Sequence, residues 1–190
     1  MIILIGGVGN AGKTCLAQKL LEKYKYPYLS IDHLKMGLYR ADKNCGFTPL
    51  DSVELIGGKL WPIIKGIIMT AAENGQNLII EGGYLLPRRI SGLDADYLER
   101  VVSFYLGFSE AYIEKNYESA ILENMRAMEP KDRDDAETKD EFLAENRAQR
   151  ELCARFGAKY FEMDGEYGAE IEKVCAWLDG ELRKRGQKLQ

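Results

Sequence analysis

The segment Gly7-Val8-Gly9-Asn10-Ala11-Gly12-Lys13-Thr14 carries the most explicit chemistry in the chain. Gly7, Gly12, Lys13 and Thr14 fit the spacing G-x-x-x-x-G-K-[ST]. A glycine-rich loop of this kind turns successive backbone N–H groups into one concavity, where an anion binds. The helix that follows adds the partial positive charge of its N-terminus. Lys13 would place a cation on the β- and γ-phosphates of a nucleotide, and the Thr14 hydroxyl would complete a Mg²⁺ shell. The expected nucleotide-binding residues are therefore Gly7, Gly9, Asn10, Ala11, Gly12, Lys13, Thr14 and Cys15, with ATP and Mg²⁺ as cofactors.

Two carboxylates stand at the ends of apolar runs. Asp32 follows Tyr28-Leu29-Ser30-Ile31, and Glu81 ends Leu78-Ile79-Ile80. Asp32 is placed to accept the proton of an acceptor hydroxyl, or to hold that hydroxyl in line with a γ-phosphate. The other reading of Asp32 is an N-cap for the next helix. His33, the only histidine, reads as structural. Glu81 would orient the Mg²⁺ shell through water or touch the acceptor, which makes Thr14 and Glu81 the candidate metal residues. Gly82-Gly83 would let backbone approach a substrate, and Arg88 or Arg89 would meet an anionic part of it or simply face solvent. A third group of charges lies in and around Pro130–Asp140: Arg126, Lys131, Arg133, Arg147 and Arg150. Phosphoryl transfer needs charge neutralisation, so a closing flap that supplies Arg126 and Arg133 as catalytic cations is expected. An ordinary salt-bridged surface is the alternative.

The elements that must position these residues alternate strand and helix. The continuous apolar run Ile2–Ile5 reads as a strand buried on both faces, and Pro27–Ile31, Leu78–Glu81, Val101–Leu106 and Lys159–Met163 read as four further strands. Helical patterns occupy Gly12–Tyr24, Asp32–Arg40, Ser52–Asn74, Ser109 to about Met128, Glu141–Phe156 and Tyr167–Arg185. Gly57-Gly58 and Pro62 are positions where the long helix from Ser52 would kink or divide. Alternation of this kind argues an α/β fold with a parallel sheet covered on both faces, and ligands bind beyond the carboxyl ends of such strands.

The 190 residues suit one domain, and 46% hydrophobic content supplies its core. A net charge of -4 provides no general basic field for nucleic acid. Cys15, Cys45, Cys153 and Cys175 form no C-x-x-C pair, so zinc and redox motifs lack support. No signal-peptide pattern opens the chain, and no uninterrupted apolar run reaches the roughly 18 residues of a membrane span. A cytoplasmic protein without membrane or nucleic-acid partners is expected. The guanine-reading N-K-x-D and the D-x-x-G switch of GTPases are both missing, and the length favours a small kinase.

With these residues in place, the chain resembles the P-loop small-molecule kinases related to the nucleoside-monophosphate kinases. Shikimate and gluconate kinases, chloramphenicol phosphotransferase and the zeta-toxin kinases are similar in outline. Gly7–Thr14 carries most of the likeness and Ser30-Ile31-Asp32 a further part. Ile79–Pro87 also looks like the I-E-G-x-x-L-x-P segment of 2-phosphoglycerate kinase-like proteins. Adenylate kinases differ: they read G-K-G-T where this chain has Gly12-Lys13-Thr14, and D-G-F-P-R where it has Glu81–Leu85. The resemblance implies a three-layer α/β/α domain over residues 1–190, with a five-stranded parallel sheet in the order 2-3-1-4-5. It also implies an acceptor-side insertion at about 32–75 and a lid at about 126–147. Asp32 takes the acceptor-holding role by the same resemblance. The function so implied is ATP-dependent phosphoryl transfer to a hydroxyl of a small metabolite, by a monomer or homodimer. A nucleoside-monophosphate kinase and a toxin-type or regulatory ATP-binding protein with little turnover are the alternatives. Tyr39, Phe47, Trp61 and Tyr84 are candidates to line the acceptor pocket.

Overall fold

The computed structural model describes residues 1–123 and 138–187. Arg126, Lys131 and Arg133 lie outside them. Five strands, β1 (Ile2–Gly7), β2 (Tyr28–Ser30), β3 (Leu78–Glu81), β4 (Val101–Phe108) and β5 (Lys159–Met163), form one parallel sheet in the order β2-β3-β1-β4-β5. The helices between them are α1 (Lys13–Tyr24), α2 (Ile31–Ala41), α3 (Val53–Glu73), α4 (Pro87–Ile90), α5 (Ala95–Leu98), α6 (Glu110–Asn116), α7 (Lys139–Arg155) and α8 (Tyr167–Lys184). A π-helical turn, Tyr117–Leu122, continues α6.

Parallel strands need crossovers, and each crossover here places a helix over the sheet. Side chains alternate between the faces with period two. Ile3, Ile5, Ile79, Phe104 and Leu106 face one core, completed by Leu16 and Leu20 of α1 and Ile171 and Leu178 of α8. Ile2, Leu4, Ile80 and Tyr105 face the other, completed by Ile56, Leu60, Ile64 and Ile68 of α3. β1 is buried throughout because it is the middle strand of a doubly covered sheet.

α3 is one continuous helix through Gly57-Gly58 and Pro62. The four-residue spacing of Ile56, Leu60, Ile64 and Ile68 keeps one face fully buried, and that tertiary packing overrides the local weakness of glycine and proline. Among the described residues α3 is the one helix long and apolar enough to cross a membrane, with mean hydropathy 1.3 over its best window. The reading of single residue runs passed over it because polar residues interrupt the run. In the fold its apolar face lies on the sheet.

Other element ends differ by one or two residues. α2 begins at Ile31, directly after Ser30, so no loop separates it from β2. β4 continues to Phe108. α7 begins at Lys139 because Thr138 and Glu141 form a capping box, each side chain accepting from the other residue's backbone N–H.

Candidate active site

β1 ends in Gly6-Gly7 and delivers the glycine-rich loop to the carboxyl edge of the sheet. Gly7 has φ +123, and a Cβ there would run into the Leu106 backbone of the neighbouring strand. Gly12 has φ +76 and lies against the Tyr167 ring, so a side chain is excluded there on both counts. Val8 is buried and its N–H donates to the Leu106 carbonyl (3.1 Å), which pins the loop to β4. Gly9 and Asn10 are exposed at the crest of the loop, and Asn10 adopts the left-handed region with φ 56. α1 then starts at Lys13 with no acidic residue in its first turn, so nothing within the helix offsets the positive end of its dipole.

Lys13 folds back over the loop and donates from Nζ to the Val8 carbonyl at 2.6 Å. Burial pushes its ammonium below the ordinary lysine range, and the charges of Glu81, Asp32 and Glu145 oppose that shift. Thr14 and Cys15 are exposed on the first turn of α1. Thr14 Oγ1 donates to Glu81 Oε1 at 3.3 Å. Glu81 is 1% exposed, at the end of β3, in register with Ile5 on one side and Ser30 on the other. A buried carboxylate beside a threonine hydroxyl is a pair of hard oxygen donors. Among the described residues no group of three or more His, Cys, Asp or Glu forms a metal cage. The pair fits Mg²⁺, which keeps most of its water and takes few protein ligands.

Asp32 is the second residue of α2, and Ser30 is the N-cap. Its carboxylate is about half exposed and pairs with Lys35 Nζ at 3.2 Å, three residues on. Lys35 Nζ also donates to Tyr84 Oη (2.9 Å) and lies 5.1 Å from the Tyr84 ring centre. Burial works against the Lys35 charge, but Tyr84 and Asp32 outweigh it and hold the ammonium above its ordinary range. His33 is exposed beside this group. Across the same edge, Glu54 of α3 pairs with Arg88 and lies 3.7 Å from Arg89 Nη2. Phe47 is buried, while Trp61 and Tyr84 are partly buried against the α3 core; Tyr39 is exposed.

The arginines assigned to the lid divide. Arg126 and Arg133 are outside the described residues. Arg147 makes a bidentate pair with Glu110 (2.8 and 2.6 Å), and Arg150 reaches Glu162 (3.2 Å) and Glu110 (3.4 Å). Both are held on the surface by carboxylates, in the manner of an ordinary salt-bridged face.

Three positions escaped the reading of the sequence. Lys35 had a signal, since i,i+3 spacing puts it on the face of Asp32. Glu145 on α7 comes within electrostatic reach of Lys13; burial raises its carboxyl above the ordinary range and Lys13 opposes the rise. α7 is fixed here by Asn146, whose Oδ1 accepts from Phe108 N (2.8 Å) while Nδ2 donates to Phe142 O (2.8 Å). Tyr167, at the start of α8, donates to the Gly12 carbonyl at 2.8 Å. Neither Glu145 nor Tyr167 has a local pattern that marks it. Next to Tyr167, a cleft of about 440 Å³ runs between α6 and the β5–α8 loop, lined by Tyr112, Lys115, Asn116, Asp164, Gly165 and Glu166 among others.

No protein-family model and no curated protein sequence matches the chain. Solved structures do. A sugar kinase from Janibacter sp. matches at 17% identity and TM-score 0.53, with 94% of each chain covered. A deoxyadenosine kinase from M. mycoides matches at 15% identity and TM-score 0.53, covering 95% of this chain and 100% of that one. A shikimate kinase from Bacteroides thetaiotaomicron matches at 13% identity and TM-score 0.54, covering 94% and 98%. The sheet order, the glycine-rich loop and these likenesses give the chain the fold that these small kinases share.

Proposed function

We propose that this protein is an ATP- and Mg²⁺-dependent kinase that phosphorylates a hydroxyl of a small metabolite. The observation that carries the reading is convergence. The Gly7–Thr14 loop, the Thr14–Glu81 pair and Asp32 stand side by side on three adjacent strand ends of one sheet edge. The solved structures of similar fold include kinases of a sugar, a nucleoside and shikimate, which agrees with a small hydroxyl-bearing acceptor.

The loop amides and the N-terminus of α1, including the N–H of Cys15, bind the phosphate oxygens. Lys13 exchanges the Val8 carbonyl for the β- and γ-phosphates, a stronger charge-assisted partner. Thr14 and Glu81 are the residues that would hold Mg²⁺. Bound Mg²⁺ supplies neutralisation of charge on the β- and γ-phosphate oxygens. The cleft between α6 and the β5–α8 loop lies next to Tyr167, which is bonded to Gly12, and we assign it as the seat for the nucleotide base. Asp32 accepts a hydrogen bond from the acceptor hydroxyl, aligns its oxygen with the γ-phosphorus, and takes the proton as the bond to phosphorus forms and the β–γ bridging bond breaks. Arg126 and Arg133, which lie outside the described residues, are assigned the neutralising role on their sequence context alone. On this reading the protein works in the cytoplasm, and a requirement for ATP with four free cysteines agrees with that location.

The test is ADP release across a panel of hydroxyl-bearing metabolites, nucleosides and nucleoside monophosphates, with native protein, Lys13→Ala and Asp32→Asn. Lys13→Ala is expected to abolish turnover. Asp32→Asn is expected to lower it at least about 100-fold, with ATP binding nearly unchanged. Full turnover by Asp32→Asn with the best acceptor overturns the role of Asp32. ATP binding with no transfer to any panel member supports a regulatory protein instead.

A further inference from the structure

α3 packs Ile56, Leu60, Ile64 and Ile68 on the sheet, yet only 39% of its apolar window is buried in the fold. Its outer face carries Lys59, Pro62, Ile63, Gly66, Thr70 and Glu73, all exposed. Spacings of three and four residues join them into one stripe along the helix. Ile63 is 39% exposed in the middle of that stripe. Gly57 and Gly58, earlier in α3, have a reason within the chain. A Cβ would stand 3.3 Å from the Tyr84 carbonyl at the first and 3.1 Å from Arg89 Nη2 at the second. Gly66 has no such reason, since a Cβ there meets nothing within 4 Å among the described residues. Alanine would fit, and it is the better helix former. Beside Gly66 the surface sinks into a hollow of about 240 Å³, lined by Gly66, Ile67, Thr70, Ala71, Gln76 and Leu78.

The charges on the stripe are placed symmetrically. Lys59 stands seven residues before Gly66 and Glu73 seven after it. Lys65 leans toward Asp94 at 4.0 Å, but Lys59 makes no ion pair among the described residues. Glu73 accepts from Tyr97 Oη at Oε1 (2.6 Å) and keeps Oε2 free among the described residues. A twofold axis through Gly66, perpendicular to the helix, sets Lys59 of one copy against Glu73 of the other, and does so twice. The same axis brings Ile63 of each copy over the hollow of the other, because Ile63 and the hollow lie at similar helix rises on opposite sides of Gly66.

We propose that the outer face of α3 docks a second copy of this chain: two α3 helices cross antiparallel at Gly66, Ile63 of each fills the hollow of the other, and Lys59–Glu73 pairs close both ends. Gly66 lets the two backbones approach where a side chain would hold them apart. Burial of apolar area supplies the attraction, and the charge pairs fix the register. A parallel arrangement would set Lys59 on Lys59 and Glu73 on Glu73. A lipid surface would meet a hollow and an acidic residue where it needs a continuous apolar face. The contact is little more than one helix pair, so the dimer belongs with the small, reversible interfaces. α3 runs from the carboxyl edge of the sheet back to the start of β3, which puts this half of it away from the phosphate loop. The dimer therefore stands apart from the kinase reading.

Sedimentation velocity on the full chain, from about 1 to about 200 µM, reads the oligomeric state. The native protein is expected to pass from monomer to dimer within that range. Ile63→Glu and Gly66→Gln should each weaken the dimer at least about tenfold. In dilute solution Gly66→Gln should melt no lower than the native protein, because the position is open and glutamine is the better helix former. A glycine needed only by the monomer would give the opposite pair of results. Lys59→Glu and Glu73→Lys should each weaken the dimer about tenfold, and the double variant should recover it to within about twofold. Tyr97→Phe, which removes the bond to Glu73 within the chain, should leave the dimer as it is. A native protein that stays monomeric at the highest concentration overturns the proposal, and its capture by phosphatidylcholine–phosphatidylglycerol vesicles would give the face to a lipid surface instead. A dimer indifferent to both Ile63→Glu and Gly66→Gln uses another face and also overturns it. Single charge reversals that weaken the dimer without recovery in the double variant overturn the antiparallel pairing. If Ile63→Glu does not fold, the native concentration series and the charge reversals decide. Phosphoryl transfer, or its absence, bears on none of these results.

Discussion

The hydroxyl of Tyr167 donates to the carbonyl of Gly12 at 2.8 Å, so the first residue of the last helix is bonded to the residue before the first one. The Tyr167 ring also fills the space beside Gly12 that a side chain would need. The loop conformation therefore depends on a residue 155 positions away. Removing the hydroxyl alone, in Tyr167→Phe, should cost about 0.5–1.5 kcal/mol of stability and, on the kinase reading, weaken ATP binding a few-fold while the ring keeps its place. Thermal melts and calorimetry on the two proteins measure both. Burial pushes this hydroxyl up to about 12, so it remains a donor through neutral pH, and no break in nucleotide affinity below pH 10 should trace to it.

Thr14 and Glu81 form the second pair with a direct readout. In Thr14→Val the shape is kept but a buried carboxylate loses its donor, which costs about 1–3 kcal/mol. On the kinase reading, Glu81→Gln should raise the Mg²⁺ concentration for half-maximal turnover about 10–100-fold. A Mg²⁺ titration of the steady-state rate that superimposes on that of the native protein would show that Glu81 does not serve the metal.

Glu145 gives a pH dependence whose sign is fixed by its environment. Burial raises its folded-state pKa, so the folded protein binds the proton more tightly than the unfolded chain. Stability then falls as pH rises from the ordinary glutamate value of 4.5 through the raised folded value. Glu145→Gln should melt above the native protein at pH 7, and the gain should shrink to nothing well below pH 4.5. Melting curves for both proteins from about pH 3 to about pH 8 check this; parallel curves across the range would contradict it.

Asn146 is a buried polar residue with both ends used. Asn146→Ala strands the Phe108 N–H at the end of β4 and should cost about 1–3 kcal/mol in urea unfolding.

Much of this fold is readable from residue types. Continuous apolar runs mark β1 and β3 to within a residue or two, because buried parallel strands need no polar alternation. The glycine-rich loop is explicit for a different reason: φ +76 at Gly12 admits few other residues. α2 shows where local reading ends. Asp32 reads first as an acceptor-holding acid and second as a cap, and only the start of the helix at Ile31 gives the cap to Ser30. α4 and α5, of four residues each, are too short to leave a periodic trace. Glu145, Tyr167 and the Arg88–Glu54–Arg89 cluster join elements far apart in the chain, and proximity of that kind has no signature in spacing.

The direct passage from Ser30 into α2 has a dimensional consequence. With no linker to flex, Asp32 is mounted on the sheet as firmly as Glu81 and the phosphate loop are. β2, β3 and β1 lie side by side, and neighbouring strands stand about 4.8 Å apart. The strands that carry Asp32 and the loop are thus two strand spacings apart, roughly 10 Å, set by backbone hydrogen bonds. On the kinase reading that interval is a fixed gauge: it must contain the moving phosphoryl group and the oxygen that receives it. Substitution of side chains can change which molecule enters the gap, but the width of the gap belongs to the backbone.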